Sequence, residues 1–289
     1  MPDVRFDPLG RRHVILAPER ARRGAPEIVP STPDPEPCDF CGGQEDRTPP
    51  ETFALREPGT EPDTPGWRVR VVPNLFPATA LHEVVVHTPD HHEQFEELDE
   101  DHRTDVMRAY RARMRDVPTR ATIVVWNRGR AAGASRTHTH GQLFGLDVVP
   151  PTLDRESAAF GDDSCVLCQM SEEDGLGVVE RDGCRVVAHP VPFVGDELLI
   201  VPPCTPRLED LDDSALASAA DAIAAVLRRL ARDVPFNLVF HSAPAGIDRV
   251  HWHAHHMPRT AVWGGLEMGA ELPIVAADPY ETARRLRGS

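Results

Sequence analysis

Residues 137–142 read THTHGQ, and residues 251–256 read HWHAHH. His138 and His140 of the first stretch stand 113 positions before His251 and His253 of the second. The same offset links Leu98 in EELDED to Leu211 in LEDLDD, and an offset of 114 links HEVVVHTP at 82–89 to DELLIVPP at 196–203. Elements that recur in order at one spacing mark a duplicated unit. The chain therefore reads as two similar halves.

Local patterns agree on the element types. HEVVVHTP, DELLIVPP, ATIVVWN (121–127) and FNLVFHS (236–242) are apolar, β-branched runs of strand length. EELDED and LEDLDD place carboxylates where a helix begins, against the positive end of its dipole. Each leads into a helical stretch that closes on RDVP, at 115–118 and 232–235, so the second helix is expected to be longer by four residues, about one turn. The order strand, strand, helix, strand predicts an α+β fold of two duplicated halves, each an antiparallel sheet with a packed helix. Residues 146–164, rich in breakers and polar groups, read as the linker, which gives an N-terminal domain over 1–155 and a C-terminal domain over 156–289.

Composition narrows the partners. The chain has 289 residues, 40% of them hydrophobic, enough for one large core or two domains, and a formal charge of −15. That charge repels phosphate backbones and anionic membranes, so nucleic acid and membranes are excluded as partners and an anionic ligand needs a local cationic or dipolar site. No apolar signal-peptide core and no run of about 20 apolar residues is present, and the expected location is cytoplasmic. The six cysteines include two Cys-x-x-Cys pairs, CDFC at 38–41 and CVLC at 165–168. In that setting such pairs point to metal or redox chemistry before structural disulfides. Neither pair sits at the junction of a βαβ unit, which favours zinc. In a strand, positions 138, 140 and 142 project to one side, so the spacing of THTHGQ builds a cluster.

Taken with FDPLGRRHVILAPERARR, VVPNLFPA, TPDHH, NRGRAAGASRTHTHGQ, HWHAHHMPR and GGLEMG, the chain resembles the galactose-1-phosphate uridylyltransferase family of the histidine triad superfamily. The CVLC pair and the NLFPA stretch are more similar to its ADP-glucose phosphorylase subgroup than to the galactose enzymes. The resemblance implies a nucleotidyltransferase that moves a nucleoside monophosphate between a nucleotide sugar and a sugar phosphate or phosphate through a covalent histidine intermediate. Imidazole suits the task, being nucleophilic near neutral pH and a good leaving group. The match makes His140 the nucleophile and Gln142 the donor that stabilises the phosphoryl oxygens. It implies substrate contacts from Asn74, Asn127, Ser135, the arginines Arg20 and Arg23, and Glu267 on the hexose. The glycines of GRAAGAS serve either as a phosphate cradle or as turn formers.

The resemblance also implies a first zinc held by Cys38, Cys41, His91 and His138, with His92 and His87 as weaker substitutes for His91. The repeat extends this to a second zinc at Cys165, Cys168, Cys204 and His251. In the galactose enzymes the histidines matching His253 and His255 hold iron instead, and CVLC favours the zinc version here. Cys184 has no partner in this scheme and is expected to pack as a buried thiol. Ala261, Leu266 and Pro273 stand where the galactose enzymes carry lysine, tyrosine and glutamine, which removes partners for sugar hydroxyls. Relatives form homodimers in which this stretch reaches the partner's site, and a homodimer is expected. Two rival readings are a non-catalytic zinc scaffold and a nucleotide hydrolase or phosphorylase. Gln142 argues against the scaffold and favours transfer over hydrolysis.

Overall fold

The computed structural model describes residues 3–17, 36–117, 119–161 and 164–288. In chain order its elements are β1 (Asp3–Asp7), β2 (Arg12–Leu16), β3 (Phe53–Arg56), β4 (Trp67–Pro73), β5 (Leu81–Val86), α1 (Glu100–Asp116), β6 (Ala121–Arg128) and β7 (His140–Leu146). There follow α2 (Pro151–Ser157), α3 (Val166–Ser171), β8 (Gly177–Arg181), β9 (Cys184–Ala188), β10 (Leu198–Val201), α4 (Asp213–Leu227), β11 (Phe236–His241) and β12 (His253–Pro258). The chain continues through α5 (Gly265–Ala270), β13 (Ile274–Val275) and α6 (Pro279–Arg287).

Both halves repeat three strands, a helix and two strands, and the fold is α+β as expected. They do not form separate sheets. One ten-stranded sheet runs β3-β4-β5-β7-β6-β11-β12-β10-β9-β8, an order that is symmetric about the β6–β11 pair. Every pairing within it is antiparallel. At the seam Asn127 stands opposite Asn237 and Val125 opposite Val239. A smaller sheet, β1-β2-β13, is separate.

The acidic openings become helix N-termini at matching positions. Asp99 accepts the His102 N–H at 2.7 Å to cap α1, and Asp212 accepts the Ala215 N–H at 2.8 Å to cap α4. The expectation of a longer second helix is not met, since α1 has 17 residues and α4 has 15. Beyond Leu227 the chain turns, and the Arg229 guanidinium donates to the Val178 and Leu286 carbonyls at 2.7 and 3.2 Å. The residues that seemed to extend the helix instead tie it to β8 and α6. The presumed linker is also structured: it holds α2, whose Leu153 and Glu156 are buried.

Alternation along the strands sorts the two faces. Val124, Trp126, Leu143, Leu238, Phe240 and Ala254 join the helix-covered core. On the opposite face the register aligns Val84 with Gln142 and Val86 with His140, then Val125 with Gln142 and Val239 with His255. Gly141, between the two key positions, faces the core. A Cβ there would lie 2.0 Å from the Tyr110 hydroxyl and 2.3 Å from Trp126 Cδ1. Gly141→Ala is therefore expected to cost about 1–3 kcal/mol, read as a lower urea midpoint with an unchanged slope. Wild-type stability would show that the strand does not pack this way.

Candidate active site and metal centres

His140 opens β7 on the face away from the helices and is 8% exposed. Its Nδ1–H donates to the His138 carbonyl at 2.8 Å, which leaves the lone pair on Nε2. The Phe40 ring packs on the imidazole with centroids 5.3 Å apart. Two cavities meet at His140. One, of about 340 Å³, is lined by Asn74, Phe76, Ser135, Arg136, His140 and Gln142 among others. The larger, about 510 Å³, adds Asn127, Arg128 and the Gly129 turn.

Both amides near the imidazole are held by their oxygens. Gln142 Oε1 lies 2.7 Å from His82 Nε2 and 3.4 Å from Asn74 Nδ2. Asn127 Oδ1 accepts from Asn237 Nδ2 at 2.7 Å, and the same NH2 group donates to the Ala132 carbonyl at 2.7 Å. Asn237 thus reaches across the seam from the second half and pins the loop Gly129–Gly133, in which both glycines take positive φ.

Two Cys–His groups repeat one design. In the first, Cys38, Cys41, His91 and His138 bring their ligand atoms within 4.8 Å of one another. His138 Nδ1 lies 3.7 Å from Cys38 Sγ and 3.8 Å from Cys41 Sγ, and His91 Nδ1 is 3.7 Å from Cys41 Sγ. Thiolate–metal bonds of about 2.3 Å and imidazole–metal bonds of about 2.0 Å imply a tetrahedral edge of about 3.6 Å, so the separations suit an ion. The second group is Cys165, Cys168, Cys204 and His251, with His251 Nδ1 at 3.3 and 3.4 Å from the first two sulfurs. In each, Nε2–H of the histidine donates to a backbone carbonyl, His138 to Thr88 at 2.7 Å and His251 to Pro202 at 2.8 Å, which turns Nδ1 toward the thiols.

In a further group two members, Glu156 and His241, went unread in the sequence. Glu156, His241, His253 and His255 are buried together. His241 Nδ1 lies 2.7 Å from Glu156 Oε2, and His253 and His255 approach each other Nε2 to Nε2 at 3.1 Å. Both rings donate from Nδ1, His253 to the His251 carbonyl at 2.8 Å and His255 to Glu197 Oε1 at 2.7 Å. Two nitrogen lone pairs so placed repel unless a proton or a metal cation lies with them. Glu156 Oε1, which has no hydrogen-bond partner among the described residues, offers one more ligand atom at 3.6 Å from His255 Nε2. Burial raises the Glu156 carboxyl, but His241, His253 and His255 together hold it down at about 2. Burial drives His253 well below the ordinary imidazole range; it lowers His255 too, but Glu197 and Glu156 outweigh it and raise that ring. The sequence reading set the Cys–His group against the histidine group as alternatives; the structure assembles residues for both. Glu156 was hidden in the presumed linker. His241 could have been found by extending the period-2 pattern of β11 from Asn237 and Val239.

His253 is the counterpart of His140, with the same Nδ1–H to carbonyl bond at the same 2.8 Å. Pose alone therefore does not separate the two. His140 borders open cavities, whereas His253 faces Glu156 and His255 and is fully buried.

A family model described as the N-terminal domain of galactose-1-phosphate uridyl transferase matches residues 77–150, the segment holding β5, α1, β6 and β7. Galactose-1-phosphate uridylyltransferase of Haemophilus influenzae is 24% identical over 296 residues, 89% of this chain and 84% of that protein. ADP-glucose phosphorylase of Arabidopsis thaliana is 29% identical over an alignment of 335 residues, spanning 99% of this chain and 92% of that protein. The crystal structure of an ADP-glucose phosphorylase from Arabidopsis thaliana with bound ADP-glucose matches with a TM-score of 0.87 at 27% identity, covering 100% of this chain and 99% of that one. The chain is similar to the galactose-1-phosphate uridylyltransferase family, by the family model over residues 77–150 and by these relatives over most of its length.

The remaining family positions distribute unevenly. Arg20 and Arg23 lie outside the described residues. Asn74 accepts the Phe76 N–H at 2.9 Å, leaving the Phe76 ring 82% exposed at the mouth of the smaller cavity. Ser135 lines that cavity and Asn127 the larger one. Glu267 caps α5 through the Gly264 N–H at 2.9 Å and lines neither cavity. His92 borders the larger cavity and His87 is bonded to the Tyr110 hydroxyl at 3.0 Å, so neither joins the first Cys–His group. Cys184 is buried in β9, its thiol pushed up to about 12 by burial.

Proposed function

We propose that this enzyme transfers a nucleoside monophosphate from a nucleotide sugar to inorganic phosphate or a sugar phosphate through a covalent intermediate on His140. The observation that carries the reading is the His140 Nδ1–H bond to the His138 carbonyl, beside the Gln142 amide and at the meeting of two cavities. His140 Nε2 attacks the α-phosphorus; the N–P bond forms as the bond to the sugar-phosphate oxygen breaks, and that oxygen leaves with the electron pair. An acceptor phosphate oxygen then attacks the same phosphorus, and the electrons of the N–P bond return to imidazole. The NH2 groups of Gln142 and Asn127 stabilise charge on the non-bridging oxygens in both steps. Phe76 offers an aromatic face to the base.

Inorganic phosphate is the favoured acceptor. The relatives named ADP-glucose phosphorylase match essentially the whole chain, and Ala261, Leu266 and Pro273 supply no polar groups for a second sugar. Transfer to a hexose 1-phosphate is the second reading, supported by the galactose enzymes among the relatives. The Cys–His groups would each hold a structural zinc, pinning the strands that carry His140 and His253. Glu156, His241, His253 and His255 would hold a further divalent transition metal, as befits an imidazole-rich set with one carboxylate. Reduced thiols at the metal sites fit a cytoplasmic enzyme. The exposed Val262 and Met268 flanking Glu267 fit a surface that meets a second copy in a homodimer.

A panel of nucleotide sugars incubated with phosphate, or with glucose and galactose 1-phosphates, separates the readings. The expected result is nucleoside diphosphate formed from phosphate, with an ADP-sugar preferred. Turnover only with a hexose 1-phosphate would replace the phosphorylase reading with the transferase one, and release of nucleoside monophosphate into water alone would overturn both.

A further inference from the structure

We infer that His82 is a positioning residue that fixes which end of the Gln142 amide meets the substrate phosphate. The inference rests on the function proposed for His140. His82 lies on β5, is buried, and stacks on Phe144 with ring centroids 4.1 Å apart. Its Nδ1 accepts the Ala78 backbone N–H at 3.1 Å. A backbone amide can only donate, so Nδ1 carries the lone pair and the neutral ring carries its proton on Nε2. That proton points at Gln142, 2.7 Å away. An N–H donor requires an acceptor, so the Gln142 atom there is the carbonyl oxygen and its NH2 lies at the opposite end of the amide. Asn74 Nδ2 lies 3.2 Å from His82 Nε2 and 3.4 Å from the same oxygen; with Nε2 protonated, the Asn74 amide can donate only to the oxygen, which supports the same polarity.

The consequence is chemical. An amide rotated by half a turn would set its oxygen against the phosphoryl oxygens and repel them; the His82 proton selects the donating orientation before substrate arrives, which is the preorganisation that stabilises developing charge. The turn at Ala78 thereby controls, through one imidazole, the polarity of a group beside the nucleophile.

A double-mutant cycle tests this. His82→Ala should lower kcat about tenfold with little change in KM, yet change it less than about twofold when Gln142 is already alanine, because residues acting through one group are not additive. His82→Gln, whose amide NH2 can replace the Nε2–H, should recover most of the rate; His82→Asn, which keeps only the acceptor for Ala78, should not. Losses that multiply in the double variant, or rescue by asparagine instead of glutamine, would overturn the assignment in favour of a structural role. Nitrogen NMR of labelled histidine in the wild-type enzyme gives a readout independent of turnover, with the His82 signals identified by their loss in His82→Gln. The Nε2–H form is expected, and the Nδ1–H form sinks the proposal even if the enzyme is active. An enzyme with the Nε2–H form but no nucleotidyl transfer would instead refute the proposed function and, with it, the catalytic part of this inference.

Discussion

His140→Gly is expected to bind its nucleotide sugar and to transfer nothing, with kcat down by about 10⁴-fold or more, the scale seen when a covalent nucleophile is removed. Wild-type enzyme incubated with the donor alone should retain a nucleoside monophosphate on an imidazole nitrogen, labile to acid and stable to base, and initial rates should be ping-pong. Gln142→Ala removes one donor and leaves the nucleophile, so slow transfer should persist at about 10²-fold below wild type. The order of these two defects separates a nucleophile from a supporting donor. An adduct that maps to another residue, or appreciable turnover by the glycine variant, would return the THTHGQ histidines to the metal-scaffold reading.

Cys38→Ser should produce the second large effect, on folding. Its sulfur is one of four candidate ligand atoms that would together fill a tetrahedral site with no position left for water, and metal bound to such a group contributes directly to the free energy of folding. Loss of more than about 3 kcal/mol is expected, the range for a lost metal site, together with loss of one zinc equivalent from the two expected at the Cys–His groups. Activity should fall as well, because His138 sits two residues before His140 on the same chain segment. Metal analysis and thermal unfolding of the same preparation make the check; a stable, fully active Cys38→Ser protein with unchanged zinc would refute the ligand set.

Much of this was readable from spacing. The 113-residue offset located the paired histidines and the acidic openings of both helices, and it carried the first Cys–His group, implied by the family resemblance, over to the second, because duplicated elements keep their period even where residues diverge. The two sheets expected of the halves became one because nothing in the pattern of ATIVVWN or FNLVFHS says which strand lies next to which; Asn127 opposite Asn237 emerges only from register. Glu156 was missed for a different reason. A short helix begun by proline, in a segment dense with breakers, carries too few apolar residues to stand out, and its carboxylate acquires meaning only from the three histidines it meets. His82 was seen as the start of a strand and nothing more, since its bond to Gln142 spans 60 positions and runs diagonally between neighbouring strands.

The seam between β6 and β11 has an architectural cost and an evolutionary reading. Each of these strands would, without the other, be the open border of a five-stranded sheet, its unpaired amides and carbonyls a template for any passing strand. Each half therefore acts as the lid on its twin's sticky margin. A single ancestral half could have closed that margin by pairing with an identical copy, since the strand order is symmetric about the junction. Fusing two such copies into one chain would have released His253, the counterpart of His140, from transfer chemistry, and it now stands with Glu156, His241 and His255 while Asn237 still serves the neighbouring half.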